Sequence, residues 1–412
     1  MRRGIQIRTF FVIWISQAAS LLGSSLVGFA LAWYLTQETG SATILATAVL
    51  IALLPQIVLG PLIGPFIDRW NRKRIMIIAD LSVALITVGL VILFLIGAIE
   101  VWHIYIAMVA RAIGQTFHFP AMVASIPLVV SEKHLARAAG LNQMLQGIVN
   151  IVAPPAGALL LETLPMYGVL AVDIGTAIIA VTCLLFIAIP KPVRTTLTEK
   201  TSAIADMVQG FRYIWSWRGL TILLGLVTLL HFFTTPAFVL LPVFVTKYLE
   251  SDVLKLGWLS SAFGVGTIAG GLILGAWGGF KRRIITSLMG IFIAGISTVG
   301  LGFTTVSLFL LGIATSFLMG FGFSMSDAPF MAILQSVIDK DMQGRVFSLI
   351  GSISAAMTPL GLAVAGPVAD ALGTRFLLYI AGAAIILTGV ACIFIPDIMN
   401  LEKQKINDSF QR

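Results

Sequence analysis

The sequence predicts an all-α polytopic membrane protein, with twelve transmembrane helices arranged as two pseudo-symmetric six-helix bundles. Three observations carry that prediction. Of the 412 residues, 58% are hydrophobic and 11% charged, less than half the roughly 25% charge of an ordinary soluble domain, and mean hydropathy is +1.01. The chain holds twelve apolar stretches long enough, at about 20 residues, to cross a hydrocarbon core ~30 Å thick. Its two halves also repeat. This composition excludes a soluble enzyme, a nucleic-acid binder and a secreted disulfide scaffold. Cys183 and Cys392 lie inside apolar runs and offer neither a disulfide framework nor zinc spacing.

In chain order the stretches run roughly 9–35, 43–67, 75–98, 102–130, 139–162, 166–189, 219–245, 255–279, 284–304, 306–337, 345–371 and 374–396. The first is too long, and lacks a small-residue cleavage site, to be a removable signal peptide. It carries Gln17, Ser20 and Ser24 at three-to-four spacing. The fourth carries Arg111, Gln115, His118 and Met122, the seventh Thr228, His231 and Thr235, and the tenth Ser316, Gly320, Ser324 and Asp327. Such spacing puts each set on one helix face, and four polar faces imply a water-filled cavity. Between the sixth and seventh stretches lies the longest polar connection, 190–218. There Ile204, Met207, Val208, Phe211, Ile214 and Trp215 recur at helical spacing behind Ser202, a candidate N-cap. This predicts an amphipathic interfacial helix tethering bundles of residues 1–189 and 219–412.

Lys and Arg alternate between the loops. One set of loops and the termini hold 22 of the 26, which places both termini in the cytoplasm by the positive-inside rule. The basic charge is thus a topology signal, with the lipid bilayer as partner and no nucleic acid. At an offset of 206–210 residues Gly60 repeats as Gly270, Arg72 as Arg282, Lys73 as Arg283, Pro120 as Pro329 and Pro190 as Pro396. Parallel six-helix repeats are the plan of one large transporter class, with the binding site at mid-membrane.

Residues 60–76, GPLIGPFIDRWNRKRIM, resemble the signature loop between helices 2 and 3 of the major facilitator superfamily: Gly64, then Asp68 and Arg69, then Arg72 and Lys73. The resemblance implies a conformational latch in which the basic cluster grips the other bundle in one state. A topology-setting basic loop is the alternative. Asn71 stands where the family has glycine, and asparagine also tolerates a left-handed turn. The second copy has Gly278 where Asp68 would align. Gln17 with Ser20-Leu21-Leu22-Gly23, the Gly40-Ser41-Ala42 turn, Arg111-x-x-Gly114 with Phe117-His118-x-Pro120-Ala121, and Gly344-Arg345-Val346-Phe347-Ser348 are similar to the macrolide-efflux group of drug:proton antiporters. Ala153-Pro154-Pro155-Ala156-Gly157 departs from the antiporter pattern of the fifth helix, so import stays open beside export. The resemblance implies that the first, fourth, seventh and tenth helices line a central cavity. It also implies a monomer in a bacterial plasma membrane.

A charge at mid-bilayer costs about 2.5–3.5 kcal/mol, so ionisable residues there need a reason. Asp80, Arg111, His118, Asp173, His231 and Asp327 lie within spans. His118 and Asp327 are 209 residues apart, the offset of Pro120 and Pro329, which sets an imidazole and a carboxylate at equivalent depth. The pair is a candidate proton-coupling site or a structural hydrogen bond. Asp173 is a structural partner or a further proton-coupling group. Asp80 is expected beside the 69–74 cluster. Arg111 is open to a substrate anion, Asp327 or an ion pair within its bundle. Gln17, Arg111, Gln115, His118, Met122, His231, Phe232, Thr235 and Asp327 are the expected cavity residues. No G-x-x-x-x-G-K-[ST] loop, catalytic triad or metal-ligand cluster is present, so a proton gradient, with no cofactor, is the expected energy source. The leading expectation is proton-driven export of a bulky amphipathic drug. The rivals are export of an endogenous amphiphile such as a lysophospholipid or siderophore, uptake of a polar metabolite, and a membrane sensor.

Overall fold

A computed structural model of the chain describes residues 2–130, 134–187, 203–250 and 252–400. Among them fifteen helices form: α1 (Arg2–Thr39), α2 (Ala42–Arg69), α3 (Arg72–Leu95), α4 (Val101–Val129), α5 (Leu135–Thr163), α6 (Met166–Phe186), α7 (Ala203–Ser216), α8 (Arg218–Val239), α9 (Leu241–Tyr248), α10 (Val253–Trp277), α11 (Arg283–Gly302), α12 (Phe309–Val337), α13 (Lys340–Leu372), α14 (Thr374–Phe394) and α15 (Pro396–Met399). All except α7, α9 and α15 contain a segment long and apolar enough to cross a membrane, twelve in number.

Local chemistry sets the ends. Gly40, at φ +61, stops α1 in a left-handed turn where a side chain would be strained. Asn71 works differently from the expected left-handed turn. Its φ of −71 and ψ of 108 are extended, and its side chain accepts the Arg74 N–H, making it the N-cap of α3. The seventh stretch, expected as one helix, divides into α8 and α9. Pro242 has no N–H for the carbonyl of Phe238 and starts a new helix, while the Leu240 N–H closes α8 on the Pro236 carbonyl at 3.0 Å. The amphipathic helix of the connection is α7. Ile214 is buried among Leu220, Ile338 and Val346, whereas the stacked rings of Phe211 and Trp215 are exposed. Ser202 and residues 188–201 lie outside the described residues, as do the side chains of Ile204, Met207 and Val208.

The chain divides into two compact units. The first comprises Met1–Thr39, Thr47–Thr196 and Val253–Gly257, the second Gly40–Ala46, Leu197–Asp252 and Trp258–Arg412. Two short segments therefore fold with the opposite sequence half. In the first unit α1 packs on α5 and α6, and α3 on α4 and α6. Ile13, Ile63, Met76, Ala121, Met122 and Leu184 fill one end. In the second, α11 packs on α12 and α14, and α8 on α13 and α14. Small residues bring α11 and α12 together: a Cβ on Gly290 would stand 2.6 Å from the backbone nitrogen of Ser326. Leu85, Phe186, Leu310 and Phe394 remain exposed, the outward apolar surface that a bilayer covers.

Candidate functional site

Two adjacent antiparallel helices, α3 and α4, bring the first unit's ionisable groups together in register. Thr87 faces Arg111, and seven residues further along each helix, in opposite directions, Asp80 faces His118. Seven residues are close to two full turns, so both members of a helix stay on one face.

At the first level Arg111 Nη1 lies 2.6 Å from Asp173 Oδ2 of α6. Thr87 Oγ1 accepts from the same Nη1 and stands 3.0 Å from Oδ2. Ser24 of α1 donates to Asp173 Oδ1 at 3.0 Å. Asp173 is 1% exposed and Arg111 7%. Of the three partners open to Arg111, the structure supplies the ion pair within its own unit. At the second level His118 Nε2 is 3.4 Å from Asp80 Oδ1, and Ser20 Oγ donates to that oxygen at 3.4 Å. Asp80 therefore faces His118. His118 has an acid on the neighbouring helix, because α3 and α4 run antiparallel and in contact. Gln17 and Met122 are buried in this unit. Gln115 lines a separate cavity of about 380 Å³ with Gln56, Thr116 and Gln146.

The basic loop residues also turn inward. Arg72 Nη1 donates to the Ala124 carbonyl at 2.6 Å, and Lys73 Nζ to those of Leu185 and Ile187 at 3.0 and 2.7 Å. Arg72 thus holds a carbonyl of α4, and Lys73 the C-terminal end of α6, which carries partial negative charge. The surroundings of Gly64 and the side chains of Asp68 and Arg69 lie outside what the structure describes.

In the second unit α8, α11, α12, α13 and α14 enclose a cavity of about 520 Å³. His231, Thr235, Phe238, Phe323, Asp327 and Phe330 are among its walls. His231 Nδ1 is 3.0 Å from the Val227 carbonyl. A carbonyl only accepts, so Nδ1 carries the proton and Nε2 is left as the basic atom. His231 and Asp327 are within electrostatic reach of one another. Phe232, expected in the cavity, packs edge-on against Phe233 at 5.2 Å and sets its carbonyl against Gly361 of α13. Helix geometry explains this: 231, 234, 235 and 238 share a face, and 232 is turned about 100° away. Phe238, Ser354 and Thr388 complete the wall without having been expected. Phe238, seven residues after His231, could have been read from spacing, as could Ser354, four residues before Thr358; Thr388 is a single hydroxyl in an apolar run.

Twelve membrane-crossing helices, with ion pairs and a carboxylate-bearing apolar cavity buried among them, define a multi-pass membrane transporter. The profile of the Major Facilitator Superfamily matches residues 13–250 and 223–408, and the chain belongs to that family. Macrolide efflux protein A of Streptococcus pyogenes is 34% identical over 95% of this chain and 97% of the relative. Multidrug efflux pump Tap of Mycolicibacterium fortuitum is 26% identical over 92% and 94%. Among solved structures, a bacterial homologue of the human lysosomal transporter Spinster superposes with a TM-score of 0.68, at 14% identity and covering 98% of each chain. That likeness is one of fold.

Proposed function

We propose that this transporter exports a bulky, largely apolar compound, a macrolide or a wider set of drugs, in exchange for protons by alternating access. The observation that carries the reading is the cavity of the second unit. Its volume suits a drug-sized ligand, and its walls are chiefly aromatic and aliphatic around one carboxylate and one imidazole. A polar metabolite would call for more hydrogen-bonding groups. The names of the relatives, macrolide and multidrug efflux, support export.

Asp327 is the proposed proton site. An ionised carboxylate in an apolar wall is costly, so protonation removes the charge and frees the empty carrier to reorient. His231 Nε2 is a base beside it. The proton gradient supplies the energy and no bound cofactor takes part. One charge crossing the membrane is worth about 2.3 kcal/mol per 100 mV, a gradient of roughly fiftyfold. The carrier acts as a monomer in a bacterial plasma membrane with both termini cytoplasmic. Its partners are lipid, protons and the amphipathic cargo, and nucleic acid is not among them.

Expression in a pump-deficient bacterium should raise tolerance to macrolides or lipophilic cations, and a protonophore should abolish the gain. Asp327→Asn should lose it at equal membrane abundance. Protonophore-insensitive export, or full export by Asp327→Asn, would overturn the proton assignment. Unchanged tolerance to every drug would move the cargo to an endogenous amphiphile.

A further inference from the structure

Buried polar clusters that serve packing alone satisfy their members. The two levels of the first unit differ on this point. At Asp173 both oxygens are engaged, by Ser24 on one side and by Arg111 and Thr87 on the other. At Asp80 only Oδ1 has neighbours, His118 and Ser20, both at 3.4 Å. Among the described residues Asp80 Oδ2, His118 Nε2 and the two amide atoms of Gln17 find no hydrogen-bonding partner. Asp80 is 3% exposed, His118 8% and Gln17 1%. Gln17 precedes Ser20 by three residues and so shares its face of α1, while Met76 and Met122 pack in the same unit.

We propose that Asp80 and His118, with the Gln17 amide, form a proton-binding site in the first unit, separate from the one at Asp327. Among the described residues His118 is the charged group within ion-pair distance of Asp80. Arg111 of α4 and Asp173 of α6 neutralise each other two turns along α3. Arg72 and Lys73, at the start of α3, donate to backbone carbonyls. α1 contributes Ser20, and Gln17 one turn away, to this level. Asp80 and His118 are the charges that stand against one another at this level. One proton held by the pair, on the carboxyl or on Nε2, makes it neutral, and its departure leaves a buried anion. The Gln17 side chain, one turn from Ser20 on α1, is a buried amide that can both donate and accept. A sodium ion prefers an all-oxygen shell, as hard cations do; the imidazole favours a proton.

The inference stands apart from the Asp327 reading, and the test separates them. Full-length Asp327→Asn protein in lipid nanodiscs should show, in infrared difference spectra across pH 5–8, a protonated-carboxyl band that Asp80→Asn in the same background removes. His118→Gln should move the pH midpoint of that band by about 1 unit or more. Should Asp80→Asn misfold, Asp80→Glu with a displaced band and His118→Gln with a displaced midpoint give the same reading. Spectra that superimpose with and without these substitutions would overturn the site. So would a midpoint that follows sodium concentration, which would mark a metal-cation site. Comparison of wild type with Asp327→Asn tests the other acid by itself.

Discussion

Asp80 and Asp173 are chemically identical and lie in the same unit, yet their surroundings set them different tasks. Asp173 closes an ion pair with Arg111, and the hydroxyls of Ser24 and Thr87 complete it. Removing one member of such a pair leaves the other charge buried and typically costs ~3–5 kcal/mol, whereas replacing both by apolar residues is often nearly neutral. Asp173→Asn should accordingly lower the thermal unfolding temperature of the detergent-purified protein far more than the double change Asp173→Leu with Arg111→Met. Equal melting of Asp173→Asn and wild type would show that the pair contributes nothing. The ionisable residues themselves were legible in the sequence, since each interrupts an apolar run. Their partners were not. The seven-residue spacings of Asp80 to Thr87 and Arg111 to His118 are visible on paper, but only contact between antiparallel helices turns them into pairs.

At the scale of elements, the start of α2 depends on a distant helix. Ser41 Oγ accepts the Ile44 N–H at 3.3 Å and donates to Asp370 Oδ2 at 2.8 Å. The same carboxylate takes the backbone N–H groups of Ala42 and Thr43 at 2.7 and 2.9 Å. Asp370 thereby supplements the N-cap of α2 from the last turn of α13, where an acid is otherwise disfavoured by the helix dipole. Lys247 of α9 stands 3.6 Å away, and Gly366 gives the turn room: a Cβ there would meet Thr43 Cα at 3.0 Å. Asp370→Ala should cost about 1 kcal/mol of local stability. Hydrogen exchange at residues 42–44 should then run roughly fivefold faster, with α11 and α12 unchanged. Unaltered exchange would mean that Ser41 caps α2 alone. The sequence showed the Gly40-Ser41-Ala42 turn but held no sign of its partner 328 residues away.

For the whole molecule, the distribution of Lys and Arg predicts orientation. With 22 of 26 on one set of loops and the termini, reporters fused at either terminus should read as cytoplasmic, and a reporter placed near Gly97 as external. An external C-terminus would reverse that assignment. The chain forms two compact units that change over between Thr196 and Leu197, with Gly40–Ala46 and Val253–Gly257 as exceptions to a simple split along the chain. Those exceptions arise at helix ends, where a short turn can pack on another element without changing the hydrophobic pattern that defines a span.

Class and number of spans were determined by the sequence alone, and the sequence alone carries the expectation of two halves with cytoplasmic termini. Each depends on how many apolar residues follow one another and where cations fall between them, quantities that lie along a single line of residues. Only tertiary structure decided that His118 meets Asp80, that Arg111 is consumed by Asp173, that Phe232 turns away from the cavity while Phe238 enters it, and that Asp370 caps α2. Those outcomes depend on the rotation and register of one helix against another. Spacing within a helix fixes which residues share a face, and packing between helices fixes what that face meets.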